Sequence, residues 1–131
     1  MTHKFKHSFI TKVHLVISVL IVIPVAFIYG FAPELLFDIY LNTIDEYNAF
    51  KAVMGLYIGF SVLWILGIFK NQFLRIALIT NVIFMLGLGF GRFLSLLLDG
   101  MPTRTFIFGT FGELILGIYG IWVLSKYYKK V

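Results

Sequence analysis

Arg92, Glu113 and Lys51 are the residues of this chain with the most chemistry to offer, because each is ionisable and each interrupts a stretch that is otherwise apolar. A charge at the middle of a bilayer costs roughly 2.5–3.5 kcal/mol on insertion scales, so it persists where it has a partner or a task. Around Arg92 the polarity is patterned. Asn81, Met85, Leu88, Arg92, Ser95 and Asp99 recur at steps of three and four, which places them on one helical face. Acyl chains do not tolerate such a stripe, so this face is expected to look into a helix bundle or toward another subunit. Glu113 lies between Gly109 and Gly117, while Lys51, Gly55 and Gly59 follow one another at intervals of four with Tyr57 close by. Gly87 and Gly91 sit just beneath the polar face of Arg92. Glycines at these spacings let backbones approach closely, and Gly55, Gly59, Gly87, Gly91, Gly109 and Gly117 are read as helix-packing positions. The Gly87-x-Gly89-x-Gly91 run is not a phosphate loop, since it follows no strand and opens no helix.

Four apolar stretches must position these groups: residues 10–31, 50–69, 74–98 and 105–124. Each is long enough for a helix across about 30 Å of hydrocarbon. The chain has 131 residues, of which 60% are hydrophobic and 13% charged, against about 25% charged in an average soluble domain. It therefore reads as an all-α integral membrane bundle, and four spans with short connections leave no room for a soluble domain. Pro24 is expected to bend the first span. That span also resembles a signal peptide in its basic flank and its Gly30-Phe31-Ala32 end, but its apolar run is too long and Pro33 would follow the cut.

Lys4, Lys6, Lys12, Lys70, Arg75, Lys126, Lys129 and Lys130 fall at the two termini and the second connection, whereas Arg104 stands alone in the first and third. By the positive-inside rule both termini face the cytoplasm. Tyr29, Tyr40, Tyr47, Tyr127 and Tyr128 lie near the span boundaries, as an interfacial aromatic belt would. In the first external connection, Glu34, Asp38, Asn42 and Asp45 recur at helical spacing after Pro33, which predicts a short amphipathic helix over residues 33–46, with an irregular loop as the alternative.

Depth decides which charges meet. Arg92 lies six residues below Leu98, about 9 Å down, and Glu113 eight residues below Thr105, about 12 Å down, at 1.5 Å per residue. Side chains lean toward a helix's amino terminus, so these two converge on one level from opposite directions. An Arg92–Glu113 pair, supported by Ser95, Asn81 or Tyr57, is the simplest way to keep both charged. Such a pair either sets helix register or lines an outward polar pocket beneath Asp99. Lys51 is close enough to the outer surface to snorkel.

Several chemistries find no support. The chain has no cysteine, which removes disulfides and thiolate ligands. His3, His7 and His14 lie in the basic amino-terminal segment with no carboxylate nearby, so no metal site is expected and the segment reads as a solvated tail able to touch anionic lipid. The net charge of +5 comes from span ends rather than from a basic face, so no nucleic-acid partner is expected. No paired carboxylates or nucleophile–base arrangement stands at one depth, and no cofactor is implied.

The run Gly91-Arg92-Phe93-Leu94-Ser95, continuing to Asp99-Gly100, Pro102 and Glu113-Leu114, resembles a bacterial membrane family catalogued as domain of unknown function 4345. Asn48, Lys51 and Gly55-Leu56-Tyr57 look like the opening of that family's second span, with lysine at position 51 where the resemblance leads one to expect arginine. The resemblance covers nearly the whole chain and implies a small four-span protein without an assigned activity. By topology alone the layout also looks like DoxX-type membrane proteins.

These readings converge on a small protein of the bacterial inner membrane. Its expected role is as a binding or accessory protein holding a small ligand or lipid headgroup at Arg92, Glu113, Asp99, Ser95, Lys51, Tyr57 and Asn81. The alternatives are a proton or ion channel or transporter subunit, an enzyme acting on lipid at the outer leaflet, and a structural subunit of an envelope complex. A homo-oligomer or a larger host complex is expected from the small-residue faces.

Overall fold

A computed structural model describes residues 2–127 of the chain. Tyr128, Lys129 and Lys130, counted above among the boundary aromatic and basic residues, lie outside the described residues. Among the described residues there are four α-helices: α1 (Thr2–Phe31), α2 (Ile44–Phe69), α3 (Asn71–Asp99) and α4 (Arg104–Tyr127). All four are long and apolar enough to cross a membrane, and the described residues contain no strand. The surface agrees with a multi-pass membrane protein: Leu20, Phe27, Val62, Ile83, Leu97, Phe108 and Ile118 are exposed around the outside of the bundle. In water that belt would be an aggregation surface; in lipid it is the solvent-facing side.

The helices run up and down. Lys70 alone separates α2 from α3, so those two form a tight antiparallel pair, and Gly67 lets α2 settle against Ala77. Residues 100–103 join α3 to α4, turning at Gly100 with φ of 102°, a conformation that suits a residue without a Cβ. The rings of His7 and Tyr127 lie 5.2 Å apart, so the start of α1 and the end of α4 share one end of the bundle. α1 continues through Pro24. The core is filled by Leu15, Ala26, Trp64, Leu78, Met85 and Val123, with the Trp64 indole N–H donating to Thr80 Oγ1 at 3.3 Å.

The amphipathic helix expected over residues 33–46 does not form. Pro33 opens a single 3-10 turn ending at Leu35, and the chain is irregular until Ile44. Two competing interactions account for this. Glu46 closes a capping box with Thr43, each receiving the other's backbone N–H, and so starts α2 a turn and a half before the apolar run. Phe37 is buried at the opposite edge of the segment and draws the chain inward. Glu34, Asp38, Asn42 and Asp45 are exposed, as their polarity requires, but they are divided among the 3-10 turn, the irregular chain and the first turn of α2.

Glycine packing also differs from the sequence reading. A Cβ on Gly55, Gly59, Gly87 or Gly91 would meet nothing within 4 Å, so these four are not intrachain packing positions. Close packing of α3 on α4 falls at Gly117 against Leu86, a position named from the sequence, and at Gly89 against Leu114 and Gly120 against Val82, which were not named. Gly109 faces Arg92 Nη1 and Glu113 Oε1, 3.8 and 4.0 Å from where its Cβ would stand. A Cβ at Gly120 would lie 2.5 Å from the stiff Val82 side chain. Gly120→Ala is therefore expected to destabilise the protein by about 1–3 kcal/mol, and Gly59→Ala to raise its stability by about 0.5–1 kcal/mol. Unfolding titrations in mixed micelles check both.

Candidate functional site

Arg92 on α3 and Glu113 on α4 meet as the depth argument requires, with Nε 3.1 Å from Oε2 and only 19% and 14% of the two side chains exposed. The contact is one of charge, without the alignment of a hydrogen bond. The guanidinium has two further neighbours. Its Nη2 donates to the Tyr29 hydroxyl on α1 at 3.0 Å, and its carbon lies 5.0 Å above the Phe106 ring of α4. Three of the four helices thus hold one side chain.

Aromatic rings close the end of the site. Phe37, from the irregular connection, stacks on Tyr29 at 4.7 Å and on Phe106 at 4.3 Å, with interplanar angles of 14° and 20°. Tyr57 of α2 meets Tyr29 edge-on at 5.5 Å. Stacked and edge-to-face pairs each contribute about 0.5–1.5 kcal/mol beyond their area. Below this lid lies a cavity of about 340 Å³ between α1 and α4, with Arg92, Glu113 and Tyr57 in its wall. The remaining wall is largely aliphatic, with Val22, Val25, Leu88 and Leu116 contributing. Exposed Ile21 and Phe108 flank its mouth, which opens on the lipid-facing surface. A wider groove between α2 and α3 reaches the other side of Arg92, Tyr57 and Leu88, which form the partition between the two spaces.

The other expected members of the cluster stand elsewhere. Lys51 is turned toward the end of α1, where its Nζ donates to Gly30 O at 3.0 Å and lies 5.4 Å over the rings of Phe31 and Tyr47. A cation there complements the carboxyl end of α1. Ser95 donates to Asp99 Oδ2 at 2.8 Å, and both are exposed, one and two turns beyond Arg92. Asn81 is fully buried further along α3, with neither amide atom hydrogen-bonded. The polar support of Arg92 therefore comes from Tyr29 rather than from Ser95 or Asn81.

Three members of the site, and one buried histidine outside it, escape the sequence reading. The sequence places Tyr29 only among boundary aromatics and Phe37 within the expected amphipathic helix, and gives Phe106 no signal of its own. His14, assigned to a solvated tail, is 1% exposed, and neither ring nitrogen has a partner. It lies 5.1 Å from the Tyr119 ring and close to Gly120. Its one advance signal was spacing: Thr11, His14 and Ser18 share a face that continues to Val22 and Ala26, and all five are buried.

Among the described residues no three His, Asp or Glu side chains gather as metal ligands. What the site offers is a compensated ion pair, hydroxyl groups and apolar walls. No curated protein and no solved structure matches the chain. A family model described as a domain of unknown function (DUF4345) matches residues 10–124, from the second half of α1's basic segment to the last turn of α4, and the chain belongs to that family.

Proposed function

We propose that this protein binds a small amphiphile in the cavity between α1 and α4, its apolar part against Val25, Leu88 and Leu116 and its polar head at Arg92 and Glu113. The observation that carries this reading is the ion pair at the inner wall of an otherwise aliphatic cavity whose mouth faces lipid. With Lys51 and Asp99 outside the cavity, one base and one acid remain. Their charges cancel, so a zwitterionic or uncharged hydrogen-bonding head fits better than a strongly anionic one. A cavity of this size and lining lies within the usual range of small-molecule sites.

The reading includes an orientation. Lys4, Lys6, Lys12, Lys70, Arg75 and Lys126 lie at the end that holds both termini, and that end faces the cytoplasm of a bacterial inner membrane by the positive-inside rule. The ion pair then sits in the outer half. Gly55, Gly59, Gly87 and Gly91, facing open space on α2 and α3, support association with a second copy or a host complex. A conducting subunit is the second reading, favoured by fully buried, unpartnered His14 and Asn81 between the ion pair and the cytoplasmic end.

Mass spectrometry of the lipids and small molecules that copurify with the protein tests the first reading. The wild type is expected to retain one species that Arg92→Met with Glu113→Leu loses; the same complement in both would refute it. Proton or ion flux in proteoliposomes, abolished by His14→Leu, would favour the second.

A further inference from the structure

The amino-terminal turns of α1 and the start of α3 line a separate, half-open cavity of about 590 Å³ at the end of the bundle away from Glu113. Its wall carries His3, Lys4, His7, Ser8, Lys12 and Asn71. Lys12 Nζ donates to Asn71 Oδ1 at 3.1 Å, which ties α1 to α3 and holds one ammonium at the rim. Thr11, also in the wall, is fully buried and commits its hydroxyl proton to the carbonyls of His7 and Ser8 at 2.9 and 3.2 Å, so it has no donor left for the cavity.

The charge balance at this end is one-sided. Glu34, Asp38, Asp45, Glu46 and Asp99 lie at the far end of the helices and Glu113 within the bundle, so none of the chain's six acids is available to Lys4 or Lys12. From His7 to Gly30 along α1 the separation is about 35 Å at 1.5 Å per residue. Two ammonium groups with hydroxyl, amide and imidazole groups around one concavity are donors in want of an anion with several acceptor oxygens. At the edge of a membrane-spanning bundle that anion is presented by the bilayer itself.

The geometry points to this cavity as a binding site for the phosphate-bearing headgroup of an anionic phospholipid in the leaflet around the termini. Lys4 and Lys12 supply the charge, and Ser8 and Asn71 supply neutral hydrogen bonds that shape the site. The lipid's chains run along the apolar flank of α1 and α3 toward the bilayer centre. This site is independent of the Arg92–Glu113 cavity, and either can fail without the other.

Native mass spectrometry of the full chain, released from membranes mixing phosphatidylcholine and phosphatidylglycerol, reads the bound anionic lipid directly. Lys4→Gln with Lys12→Gln is expected to weaken phosphatidylglycerol retention on the order of 100-fold, since each loses a direct charge-assisted hydrogen bond to the headgroup phosphate, about 1.5 kcal/mol at the low end, and 1.4 kcal/mol is tenfold. Lys6→Gln with Lys126→Gln removes the same charge from the same end outside the cavity, and should cost no more than a few-fold. Equal losses in the two pairs would overturn the proposal in favour of a diffuse surface potential. Lys12→Arg, which keeps the charge, is expected to retain the lipid; loss there with intact helicity would count against the site. Binding of inorganic phosphate with no preference for phosphatidylglycerol over phosphatidylcholine would overturn the assignment to lipid.

Discussion

Glu113→Leu is expected to lower the stability of the bundle by about 3 kcal/mol, while Arg92→Met combined with Glu113→Leu restores or exceeds the wild-type value. Truncating one partner of a sequestered ion pair leaves the other charge uncompensated, which costs about 3–5 kcal/mol, whereas replacing both by apolar groups is neutral or stabilising by about 1–4 kcal/mol. The low end applies to the single variant because Arg92 keeps the Tyr29 hydroxyl at 3.0 Å and the Phe106 face at 5.0 Å. Unfolding in bicelles by a steric trap measures both. A loss below about 1 kcal/mol for the single variant would mean that water in the cavity already solvates the guanidinium, and the site would then be an aqueous vestibule rather than an amphiphile cavity. The double variant also separates stability from function: a protein that folds as well as the wild type and has lost its ligand retains the pair for binding, not for assembly.

That pair was legible in the sequence for a geometrical reason. Rise per residue fixes depth in a spanning helix whatever its rotation, and Arg92 and Glu113 are the two formally charged side chains deepest from their connections. Rotation about the helix axis is harder to read. α2 is apolar on nearly every side, so the interval of four between Gly55 and Gly59 carried no information about which face meets a neighbour, and that face is open. The same ambiguity hid Tyr29, whose hydroxyl reaches Arg92 only in the register that the close approach of α1 and α2 at Gly30 and Met54 sets. Ser95 and Asp99 shared the face of Arg92 but satisfy each other one turn apart, which removes the need for an interior. His14 is grouped by its histidine neighbours with a solvated tail although it lies inside the 10–31 stretch, and α1, helical from Thr2, carries its buried face down to Thr11.

Phe37→Ala is the second substitution with a large expected effect, about 3 kcal/mol, and it acts from outside the four helices. The ring is 5% exposed and stacks between Tyr29 and Phe106, so its removal takes away a buried aromatic and leaves a space among the rings that shield Arg92. Phe→Ala in a core costs about 3–5 kcal/mol; the lower value holds because the irregular connection of residues 36–43 regains conformational freedom once its anchor is gone. Phe37→Leu, which refills most of the volume, is expected to cost less than about 1.5 kcal/mol. Hydrogen exchange in nanodiscs locates the effect: the amides of residues 32–43 and the last turn of α1 should exchange faster in Phe37→Ala, and α3 near Asn81 should not change. Uniform protection across the connection in both proteins would show that Pro33 and the capping box hold it without the ring. The variant also distinguishes two routes into the cavity. A ligand entering from the bilayer between Ile21 and Phe108 still loads when Phe37 is gone, though it escapes faster, whereas one entering from the aqueous end past Phe37 binds and leaves faster alike. A rise in the release rate without a matching rise in the binding rate therefore assigns the lateral route, and with it the lipid phase as the source of the ligand.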